Sequence, residues 1–312
     1  MNLQQLEYIL ALDKFKSFSK AAESCYITQA TLSTMVKKLE EELDVIIFDR
    51  KTNPIITTEC GKEILAEAQI IVNHTKTLKF LASEVKGTIK GEMNIGIIPT
   101  ISSSLLHRIL PTILKKFPEL KLNIQEITTN NIIIKLKTGE LDFGIVSTPL
   151  NILEIEEEIL YYEKLVVYGC RDNENTKFIN ATDISNEKVW LMEKGNCLTE
   201  QIMNVCSLNT KNLFTNLNFY PSTLETLINL VDNLEGLTLI PELYFLDLPN
   251  EKKKHVCDFT PPFPVREVSI IYHRPYAKLR LMEALSKEIK DAIKPFLQTT
   301  KLKNSDMIIA KI

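Results

Sequence analysis

The sequence predicts an α + α/β protein, and three observations carry that expectation. Short amphipathic helices crowd the first sixty residues, a proline-free heptad pattern follows, and beyond Gly87 apolar strand runs alternate with helices. With 312 residues there is room for a small domain, a connecting helix and a larger domain with its own core.

At the N-terminus, Leu3, Leu6, Leu10 and Phe15 recur at helical spacing behind Asn2, a residue suited to capping a helix. Ser17 or Ser19 then starts a short second helix in which Ala21 and Ala22 permit close packing. Thr28 caps a third helix beginning at Gln29, with Leu32, Val36, Leu39 and Leu43 on one buried stripe. Its other face presents Gln29, Thr31, Ser33, Thr34, Lys37 and Lys38. Two helices joined by a tight turn, the second carrying polar and basic groups outward, are the parts of a helix-turn-helix. The run VIIFDRKTNPIITT reads as two short strands around a turn at 51–54, a wing that would let Arg50 and Lys51 reach phosphates. Periodicity alone fits a plain helical bundle with solvated lysines equally well.

Residues 59–86 hold no proline, and Ile64, Ala68, Ile71, Thr75, Leu78, Ala82 and Val85 alternate in steps of four and three. That seam predicts a linker helix paired with a second copy, against the alternative of a helix packed on its own domain. From Gly87, EMNIGIIP, LKLNIQEIT, DFGIVST, EKLVVYGC, VWLMEK, GLTLIP and VSIIYH read as strands, expected to be mainly parallel. LLHRILPTILKKFPE, NIIIKLKTGEL, STLETLINLVDN and a stretch from about Tyr276 to Phe296 read as helices, the third opened by a Ser222–Glu225 capping box. Thr100 and Thr129 each follow a strand, where ligands of such sheets collect, although each equally suits a helix cap. The tail from Gln298 is polar, then apolar, and suggests no role.

Apolar content of 45% and charged content of 25% are those of a globular chain. No apolar run approaches the ~18 residues that cross a membrane, and the polar N-terminus lacks a cleavage site, which predicts a cytoplasmic protein. A net charge of −3 argues against coating nucleic acid with the whole molecule but leaves room for a local basic face. The six cysteines include no CxxC pair, and no zinc spacing, phosphate loop or nucleophile elbow occurs. Neither a metal, a cofactor nor an enzymatic activity is expected.

The segment EKGNCLTEQIMNVCSL places Cys197 and Cys206 nine residues apart. A cysteine at a helix N-terminus feels the positive end of the dipole, which lowers its thiol pKa and frees thiolate. If the segment is helical, the two lie ~13.5 Å apart along the axis, whereas a disulfide needs Cα atoms within about 7 Å. Joining them would require unwinding. Both cysteines equally suit a role as small buried hydrophobes.

The run SFSKAAESCYITQATLSTMVKKLEEELDVIIFDRKTNPIITTECG resembles the N-terminal signature of LysR-type transcriptional regulators. Matching positions include Phe18, Ala21, Ala22, Thr28, Gln29, Leu32, Ser33, Leu39, Glu40, Leu43, Phe48, Arg50, Thr57 and Gly61; Ala30, Asp44 and Cys60 depart from it. The resemblance implies a winged helix-turn-helix over 1–58, a linker/dimerisation helix over 59–86, a two-lobed Rossmann-like (periplasmic-binding-protein-like) regulator domain over 87–300, and a tail over 301–312. It also implies a DNA face made of Thr28, Gln29, Thr31, Ser33, Thr34, Lys37, Lys38, Arg50 and Lys51. Implied partners are double-stranded promoter DNA, RNA polymerase and further copies of the chain, as homodimer or homotetramer.

GNCLTEQIMNVC, with LEYILAL, IGIIPT, TLETLINLV and LTLIP, is similar to the peroxide-sensing subgroup of that family. Carried onto this chain, the similarity implies Cys197 as the thiol that attacks hydrogen peroxide and Cys206 as the one that resolves it. Thr100, Thr129 and Arg266 would position peroxide, together with Asn196 where the subgroup has histidine. Cys25, Cys60, Cys170 and Cys257 are then structural. The competing readings are a small organic effector in the cleft between lobes, and a thiol peroxidase for which the helix-turn-helix has no purpose.

Overall fold

The structure, a computed structural model, describes residues 1–52, 54–84, 91–170, 178–185, 187–208, 219–273 and 278–312. Its chain divides into two compact units, Met1–Thr88 with Lys137–Glu140, and Ile89–Leu136 with Leu141–Ile312.

The first unit contains α1 (Leu3–Phe15), α2 (Phe18–Ser24), α3 (Gln29–Leu43), the two-stranded wing β1 (Phe48–Asp49) and β2 (Ile56–Thr57), and α4 (Glu59–Glu84). A reciprocal pair starts α1: Asn2 Oδ1 accepts from Gln5 N at 3.0 Å while Gln5 Oε1 accepts from Asn2 N at 2.9 Å. The buried stripe of α1 is Leu6, Ile9 and Leu12 with the side of Gln5; the expected Leu10 and Phe15 lie off it, Phe15 being exposed. In α3, Leu32, Val36 and Leu39 are fully buried, and Leu43 at the helix end is exposed. Ala21 and Ala22 let α2 approach this core. Gly61 allows α4 to begin against the wing, because a Cβ there would stand 2.3 Å from the Ile47 carbonyl oxygen.

The seam of α4 is divided. Leu65, Ala68 and Val72 pack into the core of the small unit, while Ile71 and Leu78 remain exposed. Ala82 has no described side chain, and Val85 and Lys86 lie outside the described residues.

In the second unit, β3 (Gly91–Ile97), α5 (Pro99–Lys116), β4 (Leu120–Glu126), α6 (Thr129–Lys137) and β5 (Phe143–Thr148) wind as a parallel β/α layer. The chain then passes through β6 (Ile155–Tyr168), β7 (Phe178–Ile179), α7 (Ala181–Ile184), α8 (Cys197–Val205), α9 (Leu224–Leu234), β8 (Thr238–Pro241), α10 (Glu242–Asp247), α11 (Asn250–Lys253) and β9 (Val256–Phe259). It returns along β10 (Phe263–His273) to α12 (Leu279–Ile293) and ends in 3₁₀ turns and β11 (Met307–Ile309). The strand order is β4-β3-β5-β10-β6-β9-β7, with β8 on β6 and β11 on β10. The long strands β6 and β10 connect the two lobes, each lobe being a sheet with its helices.

Several expectations change. The sheet is mixed rather than mainly parallel, because β10 runs antiparallel to both β5 and β6, and β6 antiparallel to β8 and β9. An outgoing crossing and a returning one must oppose each other. VWLMEK forms one isolated bridge, Val189 with Leu237, and no strand. Its side chains still enter the core of the second lobe, so burial without ladder pairing produced the apolar run. The cap of α9 is Thr223, accepting from Thr226 N at 3.2 Å, and not a Ser222–Glu225 box. Helix α5 starts at Pro99, earlier than the apolar run suggests, which places Thr100 in its first turn. Tyr276, the expected start of the last helix, lies outside the described residues.

Candidate functional site

Helix α8 begins at Cys197 and ends at Val205, with Cys206 as its C-cap. Asn196 accepts from Leu198 N at 3.0 Å, so the residue expected to position peroxide spends its side-chain oxygen on capping the helix. The two sulfurs therefore stand at opposite ends of a nine-residue helix, ~13.5 Å apart along the axis, and both are free and buried. Leu198, Ile202 and Cys206 share one stripe in the core of the second lobe.

Cys197 Sγ lies 3.0 Å from Thr129 Oγ1, at the N-terminus of α6. Thr100 is equally buried but serves a different group: its carbonyl accepts from Arg266 Nη2 at 2.9 Å and its hydroxyl from Nη1 at 3.3 Å. Arg266 is fully buried and paired with Glu163 at 2.7 Å; the other Glu163 oxygen accepts from Leu243 N at 3.2 Å. The predicted residues thus form two clusters, Thr129 with Cys197 and Thr100 with Arg266. Sequence reasoning missed Glu163, although a Glu-Lys pair inside the apolar run LYYEKLVVY was a visible signal. A buried guanidinium needs a counter-charge, and Glu163 supplies it.

Charge at the thiols departs from expectation. Burial pushes the Cys197 pKa up, against the Thr129 hydrogen bond and the Arg266 charge, which pull it down. The helix end and the cation do not overcome desolvation here. Burial pushes Cys206 up to about 12. Both are protonated thiols at neutral pH in this state, and Cys206 becomes a nucleophile only where water reaches it.

Of the other cysteines, all expected to be structural, Cys170 and Cys257 are joined in a disulfide with Cα atoms 6.1 Å apart. Strand β9 lies beside β6, and the backbone N–H groups of Gly169 and Cys170 both donate to His255 O, which folds Cys170 onto its neighbour. Cys25 is half-buried; Cys60 is exposed, so packing does not account for it.

On the small unit, Thr28, Gln29, Thr31, Thr34, Lys37, Lys38 and Lys51 are exposed and Ser33 half-exposed. Thr28 caps α3 by accepting from Thr31 N, and Gln29 accepts from Ser19 Oγ at 2.8 Å. Arg50 is less free than expected: it pairs with Glu40 at 2.6 Å and lies over the Phe18 ring at 5.3 Å. Glu40 also accepts from Ile47 N and Phe48 N, binding the end of α3 to the wing. Among the described residues no cluster of ligands could hold a metal ion, and no helix is long and apolar enough to cross a membrane.

Residues 3–62 match the family described as "Bacterial regulatory helix-turn-helix protein, lysR family", and residues 86–294 match "LysR substrate binding domain". A "Hydrogen peroxide-inducible genes activator" of Pectobacterium carotovorum subsp. carotovorum is 32% identical over 305 residues, covering 96% of this chain and 99% of the relative. The "DNA-binding transcriptional dual regulator OxyR" of Escherichia coli (strain K12) is 33% identical over 285 residues, covering 90% of this chain and 92% of the relative. Among solved structures, a substituted full-length OxyR from Pseudomonas aeruginosa superposes with a TM-score of 0.76 at 28% identity, covering 93% of this chain and 98% of that one.

Proposed function

The chain belongs to the LysR family of bacterial helix-turn-helix regulators, and on that premise we propose that it is a DNA-binding transcriptional regulator switched by hydrogen peroxide through a Cys197–Cys206 disulfide. The observation that carries this reading is the placement of the two free sulfurs at opposite ends of one buried helix, the first in contact with Thr129.

Cys197 attacks one peroxide oxygen; the O–O bond breaks, an S–O bond forms and water leaves. Cys206 then attacks the sulfenic sulfur, an S–S bond forms and a second water leaves, the two thiol protons ending in the two waters. Two thiols are oxidised and one peroxide is reduced. The bond cannot close along an intact helix, so closing it remodels α8 and the core stripe it fills. Thr129 supports the first step by hydrogen bonding to the sulfur, and Arg266, held by Thr100 and Glu163, by its charge.

Residues 1–58 read promoter DNA through the outer face of α3, with Gln29, Thr31, Ser33, Thr34, Lys37 and Lys38 in the groove and Lys51 on the wing. Residues 59–86 pair two copies, a reading supported by the open Ile71 and Leu78. Residues 87–300 sense peroxide in the cytoplasm, dimers assemble into tetramers, and RNA polymerase is the downstream partner.

A disulfide map after one equivalent of peroxide tests the reading. A new Cys197–Cys206 link, with two thiols lost together and none lost in Cys197→Ser, is expected, while Cys170–Cys257 stays the same throughout. A map without that link ends the proposal.

A further inference from the structure

The C-terminal segment, which the sequence left without a role, grips the helix that separates the two switch thiols. Strand β11 adds in parallel to β10, with Met307 beside Phe263 and Ile309 beside Val265, and Ala310 N donates to Val265 O at 2.8 Å. This places Ala310, 2% exposed, in the same apolar cluster as Leu198, Ile202 and Cys206 of the switch segment.

Two side chains of α8 then bond to the tail. Gln201 Nε2 donates to Ala310 O at 3.0 Å, and Asn204 Nδ2 donates to Lys311 O at 3.1 Å. Gln201 is fully buried in mid-helix, and its Oε1 has no partner. Among the described residues the tail alone compensates the burial of that amide, so losing the tail would remove its described hydrogen bond.

We propose that residues 307–312 are a latch on the reduced state: the tail stabilises helical α8 and thereby opposes formation of the Cys197–Cys206 disulfide. The inference rests on the disulfide reading above. Drawing position 206 onto position 197 turns the segment between them away from a helical path, so the bonds at Gln201 and Asn204 exist in the reduced form only. Contacts made by one of two states shift the balance toward that state by their full worth. The oxidant is hydrogen peroxide and the electron source for the return is an added dithiol; each interconversion moves two electrons and two protons.

The test is the equilibrium between thiols and disulfide in the full chain, poised in dithiothreitol buffers of graded ratio and read by differential alkylation and mass spectrometry. Deleting residues 307–312 is expected to shift the Cys197–Cys206 midpoint about tenfold toward the disulfide, the worth of one to two net hydrogen bonds. Asn204→Ser, which barely changes helix propensity and leaves the buried core intact, should shift it the same way by roughly threefold. An unmoved midpoint in a folded truncated chain, or in Asn204→Ser should the truncation not fold, overturns the latch. If the wild-type chain itself never forms the link, the peroxide reading falls and takes the latch with it. The two failures are therefore distinct.

Discussion

Helices α3 and α8 both start from a side chain that accepts a backbone N–H, Thr28 from Thr31 in the first and Asn196 from Leu198 in the second. They differ in what holds them beyond that point. Helix α3 buries Leu32, Val36 and Leu39 completely, closes on Asp44 in the left-handed region, and is tied to the wing by both oxygens of Glu40. Helix α8 ends at Val205, with Cys206 as its C-cap and Ser207 following at φ of 48°, and carries in its middle a buried amide oxygen with no partner among the described residues. An apolar stripe alone does not make a helix permanent. The groups at its end and the satisfaction of its polar atoms set how much it costs to undo.

The strongest challenge to this contrast is a cavity under α3. Leu39→Ala should cost about 2–5 kcal/mol in the small unit, read as a lowered thermal transition with the yield of Cys197–Cys206 link unchanged. A fall in that yield would mean that the two helices are not separately stabilised. Next in size is the outward face of α3. Gln29→Ala should weaken specific DNA binding by about 1–3 kcal/mol, measured by titration of labelled operator DNA, and leave the peroxide response of the thiols intact. Equal affinity would remove α3 from the groove.

The smallest effect concerns Thr129. Its hydroxyl lowers the Cys197 pKa against the stronger effect of burial, so Thr129→Val should raise that pKa further. Less thiolate is then present at pH 7, and peroxide oxidation should slow, with the pH–rate profile moving to higher pH. Since both thiols are raised in the helical form, that form holds more protons than an unwound segment between pH 9.0 and about 12 for Cys206. Its stability falls as pH rises through that window. A profile unchanged in Thr129→Val would show that the hydroxyl does not act on the sulfur.

Much of this was legible from spacing. The caps at Asn2 and Thr28 are local, the α3 stripe is periodic, and the stretch between Cys197 and Cys206 is compatible with a helix, which the structure shows. What the sequence hid depends on pairing over long separations. The direction of β10, 103 residues from Glu163 at its Arg266 position, is a topological fact with no local signal. The bridge at Val189 looked like a strand because burial on a core wall and burial within a sheet select the same side chains. Arg50 seemed free because Glu40 lies a helix end away, and the raised pKa of Cys197 comes from atoms that surround it rather than from its place in the chain. The tail gave no signal because its partner, Gln201, lies 109 residues upstream.

The sulfur bridge between Cys170 and Cys257 has a practical corollary. It ties together positions 87 residues apart, and both switch cysteines fall inside that ring. A protease nick anywhere within the ring yields two pieces that still migrate as one on a gel run without thiol. Single nicks confined to the ring, in peroxide-treated and untreated forms alike, become visible only after the bridge is cut.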